Sequence, residues 1–314
     1  MEMRPLGRTG VQVSAIALGA WQFGRDAWEG IDDNESIRTI HAALDAGINL
    51  IDTALGYGKG YSEQIVGKAV KGRRDEVLIA SKCGAHPEQI KKTVDEALQR
   101  LQTEVIDIYQ VHYPSPRIPI AETIGAMKEI QEAGKIRWIG VSNFSLEQMQ
   151  QAVGTARIET CQPPFNVFWR QIDNDVLPFC VEQEIAVLPY SPLAQGLLAG
   201  RFRTRADIPN DIRAKNKLMA EGVFEKCLEV VKLMEEIAQR HGKTVAQVAI
   251  NWTANFPGIT APIVGARRPA QVLENVGGVG WRLSEEEMEL ISERGLEVSK
   301  LLDYSTNMWG YAPK

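Results

Sequence analysis

The strongest constraint on this chain is an alternation. Short apolar runs recur along it, each followed by a longer amphipathic stretch. The runs are Ala15–Leu18, Ile48–Ile51, Val77–Ala80, Ile106–Val111, Arg137–Val141, Ile158–Cys161, Ala186–Leu188 and Ile259–Val264. They are brief, rich in β-branched residues and nearly continuous, as parallel strands buried on both faces are. The stretches between them have helical period. Ile37, Ile40, His41 and Leu44 fall at i, i+3, i+4 and i+7, with Asn34 or Asp33 as N-cap and Gly47 as the stop. Ser145-Leu146-Glu147-Gln148 and Ser284-Glu285-Glu286-Glu287 read as capping boxes. Eight strands, each followed by a helix, predict an α/β fold: a (β/α)8 barrel forming a single domain over residues 1–314. A doubly wound sheet would normally show a GxGxxG turn after its first strand, and the first run ends Ala17-Leu18-Gly19-Ala20-Trp21 instead.

The 314 residues exceed the roughly 250 of an ordinary barrel. The excess falls in an N-terminal hairpin (Arg4–Val13), a long segment from Tyr190 to Gly258, a late helix (Ser284–Gly295) and an aromatic tail (Glu297–Lys314). The long segment holds two helical patterns, Phe224–His241 and Thr244–Asn255, and a basic loop. That loop, Arg201-Phe202-Arg203-Thr204-Arg205 with Arg213, Lys215 and Lys217 beyond it, reads either as a solvated surface or as a strap over phosphates.

Composition narrows the function classes. Hydrophobic residues make up 44% and charged residues 24%, values of a soluble globular chain. No run approaches the length of a membrane span, and the start has no apolar signal segment. Thirty-five basic against 40 acidic residues leave a net charge of −5, which offers no general field for nucleic acid. Cys83, Cys161, Cys180 and Cys227 form no CxxC, so reduced thiols and a cytoplasmic location are expected. The histidines show no metal-ligand spacing, so no metal is expected. Assembly as a homo-oligomer is left open.

In a (β/α) barrel the working residues sit where strands end. Asp52 follows the second run, with Tyr57 close behind it. Lys82 follows the third, His112 the fourth, Ser142-Asn143 the fifth and Gln162 the sixth. Tyr190-Ser191-Pro192-Leu193 follows the seventh, and Gly265-Ala266-Arg267-Arg268 the eighth. A tyrosine is a sluggish proton donor at neutral pH, but a lysine cation beside it lowers its pKa. A carboxylate fixes the lysine, and a histidine can hold a carbonyl oxygen. Together these groups suit protonation of a carbonyl oxygen while hydride reaches its carbon.

These segments, with Gly60-Tyr61-Ser62-Glu63, Asp107–His112, Ile139–Phe144, Pro189–Gly196 and Gly265–Gln271, resemble the aldo-keto reductase family. The similarity runs from the hairpin to about Leu290, and paired arginines after Gly-Ala resemble the bacterial general-stress and inositol-operon-like branches. The resemblance implies carbonyl reduction with NADPH rather than NADH, and a small-molecule carbonyl or alcohol substrate. It implies a tetrad of Asp52, Tyr57, Lys82 and His112, with Tyr57 as general acid. Ser142, Asn143 and Gln162 would bind the nicotinamide carboxamide, and Tyr190 would stack on its ring. Gly19, Ala20 and Trp21 would border the cofactor, and Ser191, Pro192, Leu193, Gln195 and Gly196 would pass beneath its pyrophosphate. Gly265 and Ala266 would lead to Arg267 and Arg268 on the 2′-phosphate, with Gln271, Glu274 and Asn275 at the adenine end. Trp21, Tyr113, Phe165 and Trp169 would shape the substrate pocket, and the tail aromatics Tyr304, Trp309 and Tyr311 would cover the barrel mouth or a neighbouring subunit. Two other readings stay open: an NADP-dependent sugar or polyol dehydrogenase running in reverse, and a cofactor-binding regulatory subunit.

Overall fold

The computed structural model describes residues 1–26 and 30–310, so Tyr311 lies outside the described residues. A hairpin, β1 (Met3–Pro5) and β2 (Gln12–Ser14), precedes eight further strands. These are β3 (Ala17–Gly19), β4 (Leu50–Asp52), β5 (Leu78–Cys83), β6 (Ile106–Val111), β7 (Ile136–Ser142), β8 (Thr160–Gln162), β9 (Ala186–Val187) and β10 (Ile263–Gly265). All neighbours in this sheet are parallel, with β10 beside β3 and the others in sequence order to β9. The ring closes just past β9, where Tyr190 bridges Ile263 and the Ile263 N–H donates to the Pro189 carbonyl at 2.8 Å. The predicted (β/α)8 barrel is therefore the observed fold.

Helices α1 (Asp33–Asp45), α2 (Tyr61–Ala69), α3 (Pro87–Leu101), α4 (Ile120–Glu132), α5 (Leu146–Thr155) and α6 (Val176–Glu182) follow strands β3 to β8 in turn. The insertion after β9 holds several short 3-10 turns, then α7 (Val223–His241) and α8 (Val245–Asn255). After β10 come α9 (Pro269–Val276) and α10 (Glu285–Ser299). Both expected capping boxes form, at Ser145/Gln148 and Ser284/Glu287. The cap of α1 differs from expectation: extended Asp32 accepts the Glu35 N–H, ahead of Asp33 and Asn34, which already belong to the first turn. A hydrophobic stripe marks a helix face but leaves several acceptors before it to compete for the cap.

The barrel interior is filled by Ala17, Leu50, Leu78, Ala80, Ile108, Ala186, Leu188, Ala261 and Ile263. Leu6 and Val13 of the hairpin join this cluster and plug one end. Side chains two apart on a strand share a face. The residue after Leu50 on that face is Asp52, after Ala80 it is Lys82, and after Ile108 it is Gln110. The apolar filling thus ends in a polar top layer on the same strands. This explains why β4, β5, β7 and β8 outrun their apolar runs: the ladder continues through Asp52, Lys82, Ser142 and Gln162 after the hydropathy has broken.

Candidate active site

In that top layer the Lys82 ammonium is fully enclosed. It donates to Asp52 Oδ2 at 2.6 Å, to the Thr53 carbonyl at 2.9 Å and to the Tyr57 hydroxyl oxygen at 3.0 Å. Three N–H groups meet three acceptors. Asp52 Oδ1 accepts from Gln162 Nε2 at 2.8 Å and from Gln110 Nε2 at 3.4 Å. Burial works against the ammonium, but Asp52 and Tyr57 outweigh it and hold Lys82 above its ordinary pKa.

Tyr57 sits on the loop between β4 and α2. Ser62 ties that loop to the barrel, accepting from Thr53 Oγ1 at 2.9 Å and donating to the Ala20 carbonyl at 2.7 Å. Buried Glu63 accepts from Ser81 Oγ at 2.5 Å and pairs with Arg100 at 2.6 Å. The backbone crosses the β3–α1 loop closely. A Cβ on Gly58, whose φ is +62°, would lie 2.0 Å from the Gly24 carbonyl oxygen. The same two loops carry Trp21 and Tyr57, whose ring centroids lie 6.1 Å apart.

The sequence led us to expect a lowered Tyr57 pKa. In the structure burial dominates, and the phenol is pushed up to about 12 although the Lys82 cation pulls it down. Tyr57 is therefore protonated at neutral pH. Its oxygen already accepts from Lys82, which leaves its own proton for an acceptor in the cavity. The His112 ring lies edge-on to Tyr57 at 6.0 Å and stacks on Tyr113 at 5.1 Å. Burial, and then the Lys82 cation, push its pKa down to about 3, so the imidazole is neutral.

These groups open into a cavity of about 450 Å³. Of the expected residues, Gly19, Trp21, Asp52, Tyr57, His112, Tyr113, Ser142, Asn143, Gln162, Tyr190, Ser191, Pro192, Leu193, Gln195, Gly196, Gly265, Ala266, Arg267 and Gln271 line it. Lys82 lies beneath it, bonded to Tyr57. The Tyr190 hydroxyl donates to Asn143 Oδ1 at 2.9 Å, and Asn143 Nδ2 donates to the His112 carbonyl at 2.9 Å. One chain of bonds thus fixes the ring of Tyr190 relative to the tetrad. Among the described residues, Gln22 Oε1 and Gln195 Nε2 are buried without a hydrogen-bond partner, and both residues line the cavity. An unpaired acceptor and an unpaired donor there fit a polar ligand.

Several expected residues do not line this cavity. Phe165 is fully buried against Trp252 and Phe256, with centroids 5.7 and 5.0 Å away. Trp169 is fully buried against Tyr304 at 4.8 Å. Both correct the substrate-pocket expectation. Their loop turns its aromatics away from the mouth, toward α8 and the tail, where apolar area can be buried. Ala20 is buried behind the mouth. Arg268 is also absent from the lining. Its side chain is 72% exposed and it pairs with Glu35 at 3.8 Å. Glu274 accepts from Thr244 at 3.3 Å, and Asn275 donates to the Gly265 carbonyl at 3.4 Å.

The basic loop divides. Arg201 and Arg213 line the cavity with Arg267. Burial, then Arg213, Arg201 and Arg268, pull the Arg267 pKa below its usual value, the mark of crowded cations. Arg203 and Arg205 instead pair with Glu235 and Glu225. Arg201 and Arg213 were candidates only as part of a loop, and Asn307 was no candidate at all. Asn307 and Trp309 from the tail complete the lining. Among the described residues no cluster of histidine, cysteine or acidic groups could hold a metal. No helix of those residues is long and apolar enough to cross a membrane. Cys83, beside Lys82, is buried, and burial pushes its thiol up and out of reactivity.

A sequence model of the Aldo/keto reductase family matches residues 15–294. Aldo-keto reductase YhdN of Bacillus subtilis is 41% identical over 307 residues, covering 93% of this chain and 93% of that protein. The NADH-specific methylglyoxal reductase of Escherichia coli is 35% identical over 320 residues, covering 93% of this chain and 98% of that one. The structure of the glycerol dehydrogenase AKR11B4 from Gluconobacter oxydans is similar with a TM-score of 0.88 and 36% identity, over 97% of this chain and 98% of that one. An aldo/keto reductase from Klebsiella pneumoniae in complex with NADP and acetate is similar with a TM-score of 0.77 and 31% identity, over 93% and 95%.

Proposed function

Because the chain belongs to the aldo/keto reductase family, we propose that it reduces an aldehyde or ketone to the alcohol with NADPH, Tyr57 serving as general acid. The observation that carries this reading is the use of Lys82: its three donors are spent on Asp52, Thr53 and the Tyr57 oxygen. The Tyr57 proton is thereby directed at whatever acceptor the cavity holds. Bound nicotinamide would supply the hydride. As Tyr57 gives up its proton to the carbonyl oxygen, the cation 3.0 Å away stabilises the phenolate left behind. Asp52 keeps that cation charged and fixed. Neutral His112 donates a hydrogen bond to the same carbonyl oxygen and orients it.

Gln162 gives its N–H to Asp52, so its Oε1 is the group it offers to a carboxamide. Tyr190, held by Asn143, is the shelf for the ring. Gln195 Nε2 and the guanidinium groups of Arg201, Arg213 and Arg267 suit the phosphates, since arginine offers several donors and a permanent charge. That cluster supports NADPH. Fold alone does not carry the choice, because a relative 35% identical is named NADH-specific. Four buried, unbridged thiols fit a reducing cytoplasm.

One finding favours a second reading, alcohol oxidation: a structure 36% identical is titled a glycerol dehydrogenase. NADPH absorbance followed with methylglyoxal and nitrobenzaldehyde, against NADP⁺ with glycerol and sugars, separates the two. Faster reduction is the expected result. Tight NADPH binding without turnover in either direction would overturn both and favour a regulatory subunit.

A further inference from the structure

Lys217 stands outside the cavity, yet it holds one of its walls. Its ammonium donates to three oxygens of the tail: the Asp303 carboxylate at 3.3 Å, the Thr306 carbonyl at 3.5 Å and the Asp303 carbonyl. That set uses all three donors of an ammonium. The Lys217 backbone N–H donates to the Met308 carbonyl at 2.8 Å. Met308 is fully buried, so the same contact seats an apolar plug. Next to Lys217, buried Asn216 donates to Gln195 Oε1 at 3.3 Å. That oxygen also accepts the Trp309 indole N–H, at 3.0 Å. Two residues of the insertion thus reach the tail at positions 303, 306 and 308 directly, and at 309 through Gln195.

The tail they hold closes a circuit of side chains that runs through Tyr57. Trp21 neighbours Tyr57 at 6.1 Å, Tyr57 neighbours His112 at 6.0 Å, and His112 stacks on Tyr113 at 5.1 Å. Asn307 Nδ2 donates to the Tyr113 hydroxyl at 3.1 Å, and its Oδ1 accepts the Trp309 N–H at 3.0 Å. The Trp309 ring then meets Trp21 edge-on at 5.5 Å. Four members of this circuit come from barrel loops and two from the tail. The tail members lie outside any strand or helix, so docking of the tail backbone adds to the contacts that place them, among them the Trp309 ring stacked on Tyr190 at 6.3 Å.

We propose that Lys217 is a positioning residue for substrate specificity: by docking the tail it keeps Asn307 and Trp309 in the wall around Tyr57, which admits small carbonyl compounds and shuts out bulky ones. The specificity half rests on the carbonyl-reductase reading above, whereas the docking half does not. A tail that loosens opens the circuit at its two tail members and widens the pocket.

The test uses the full chain with Lys217→Met and Lys217→Arg, and Trp309→Ala for comparison. Amide exchange over residues 303–310 reads docking without turnover. Steady-state kinetics with methylglyoxal and with a bulky aromatic ketone read specificity, and NADPH fluorescence titration reads the cofactor site. Lys217→Met is expected to speed exchange in the tail and to raise KM for the small substrate about tenfold, with a smaller effect on kcat. Its preference for the small over the bulky substrate should fall about tenfold, approaching that of Trp309→Ala. Lys217→Arg should restore most of both, and NADPH affinity should stay within about twofold. Unchanged tail exchange overturns the docking. Faster exchange with an unchanged preference overturns the specificity role. A large loss of NADPH affinity with the preference unchanged overturns it too, by assigning Lys217 to the phosphates. If the unaltered chain reduces no carbonyl at all, the carbonyl reading fails by that result while exchange still decides the docking.

Discussion

Replacing Lys82 by Met strikes the buried pair at the centre of the site. The lysine side chain is fully enclosed, and that of Asp52 is 4% exposed. Without the ammonium, Asp52 keeps two amide donors among the described residues, Gln162 at 2.8 Å and Gln110 at 3.4 Å, and the Thr53 carbonyl loses its Lys82 donor. Removing one partner of a buried pair costs about 3–5 kcal/mol, and the two amides place this case near 3 kcal/mol. In a chain of 314 residues each kcal/mol moves the melting temperature by about 1.5 °C, so a fall of about 5 °C follows. Adding Asp52→Asn to Lys82→Met removes the stranded charge and should recover about 2 kcal/mol. The cation that opposes the upward push on Tyr57 is also gone, so the phenol moves further up and kcat falls in both lysine variants. Melts of the unaltered chain, both single variants and the double variant read the coupling, with kcat measured in parallel. Single-variant effects that add to within about 0.5 kcal/mol would refute a coupled buried pair.

Other outcomes follow from the same geometry. Neutral His112 binds fewer protons folded than unfolded between its folded pKa of about 3 and its ordinary value, so stability falls as pH drops through that window. Two pH units below the ordinary value would cost at most about 2.7 kcal/mol, and partial exposure to the cavity reduces this to about 1–2 kcal/mol. Denaturant titrations at about pH 6.5 and pH 4.5 should show the loss, and His112→Gln should flatten it. Arg267→Ala should weaken NADPH by about tenfold or more and NADH much less, read by fluorescence titration, and equal losses would remove its role at the 2′-phosphate. Gly58→Ala drives a Cβ to 2.0 Å from the Gly24 carbonyl at a φ of +62°, so a loss of at least about 2 kcal/mol in melts, with a lower kcat, is expected.

The barrel was legible because its strands are buried on both faces and its helices carry a clean stripe. The polar rim was legible for a related reason. Asp52, Lys82 and Gln162 each interrupt an apolar run at its end, where only a paired polar group can be buried. What stayed hidden depends on where irregular chain folds back. Phe165 and Trp169 follow a strand end as Tyr113 does, yet pack against Trp252 and Tyr304, and no local pattern distinguishes an aromatic turned inward from one turned outward. Lys217 sits in a basic loop that resembled a phosphate strap, and two of its three partners, at 303 and 306, are backbone carbonyls, which any residue supplies. The direction of the Tyr57 shift was also missed, because a sequence shows the neighbouring charge but not the burial that outweighs it.

The proposed reaction turns on the Tyr57 proton, and Tyr57→Phe removes that proton while sparing the ring. NADPH affinity and kcat/KM for a panel of aldehydes should be measured together on this variant. NADPH binding within about twofold of the unaltered chain and a fall in kcat/KM of about 10²–10⁴-fold across the panel are expected if Tyr57 is the general acid. A Tyr57→Phe enzyme that keeps aldehyde reduction within a few-fold of the unaltered chain would contradict that role.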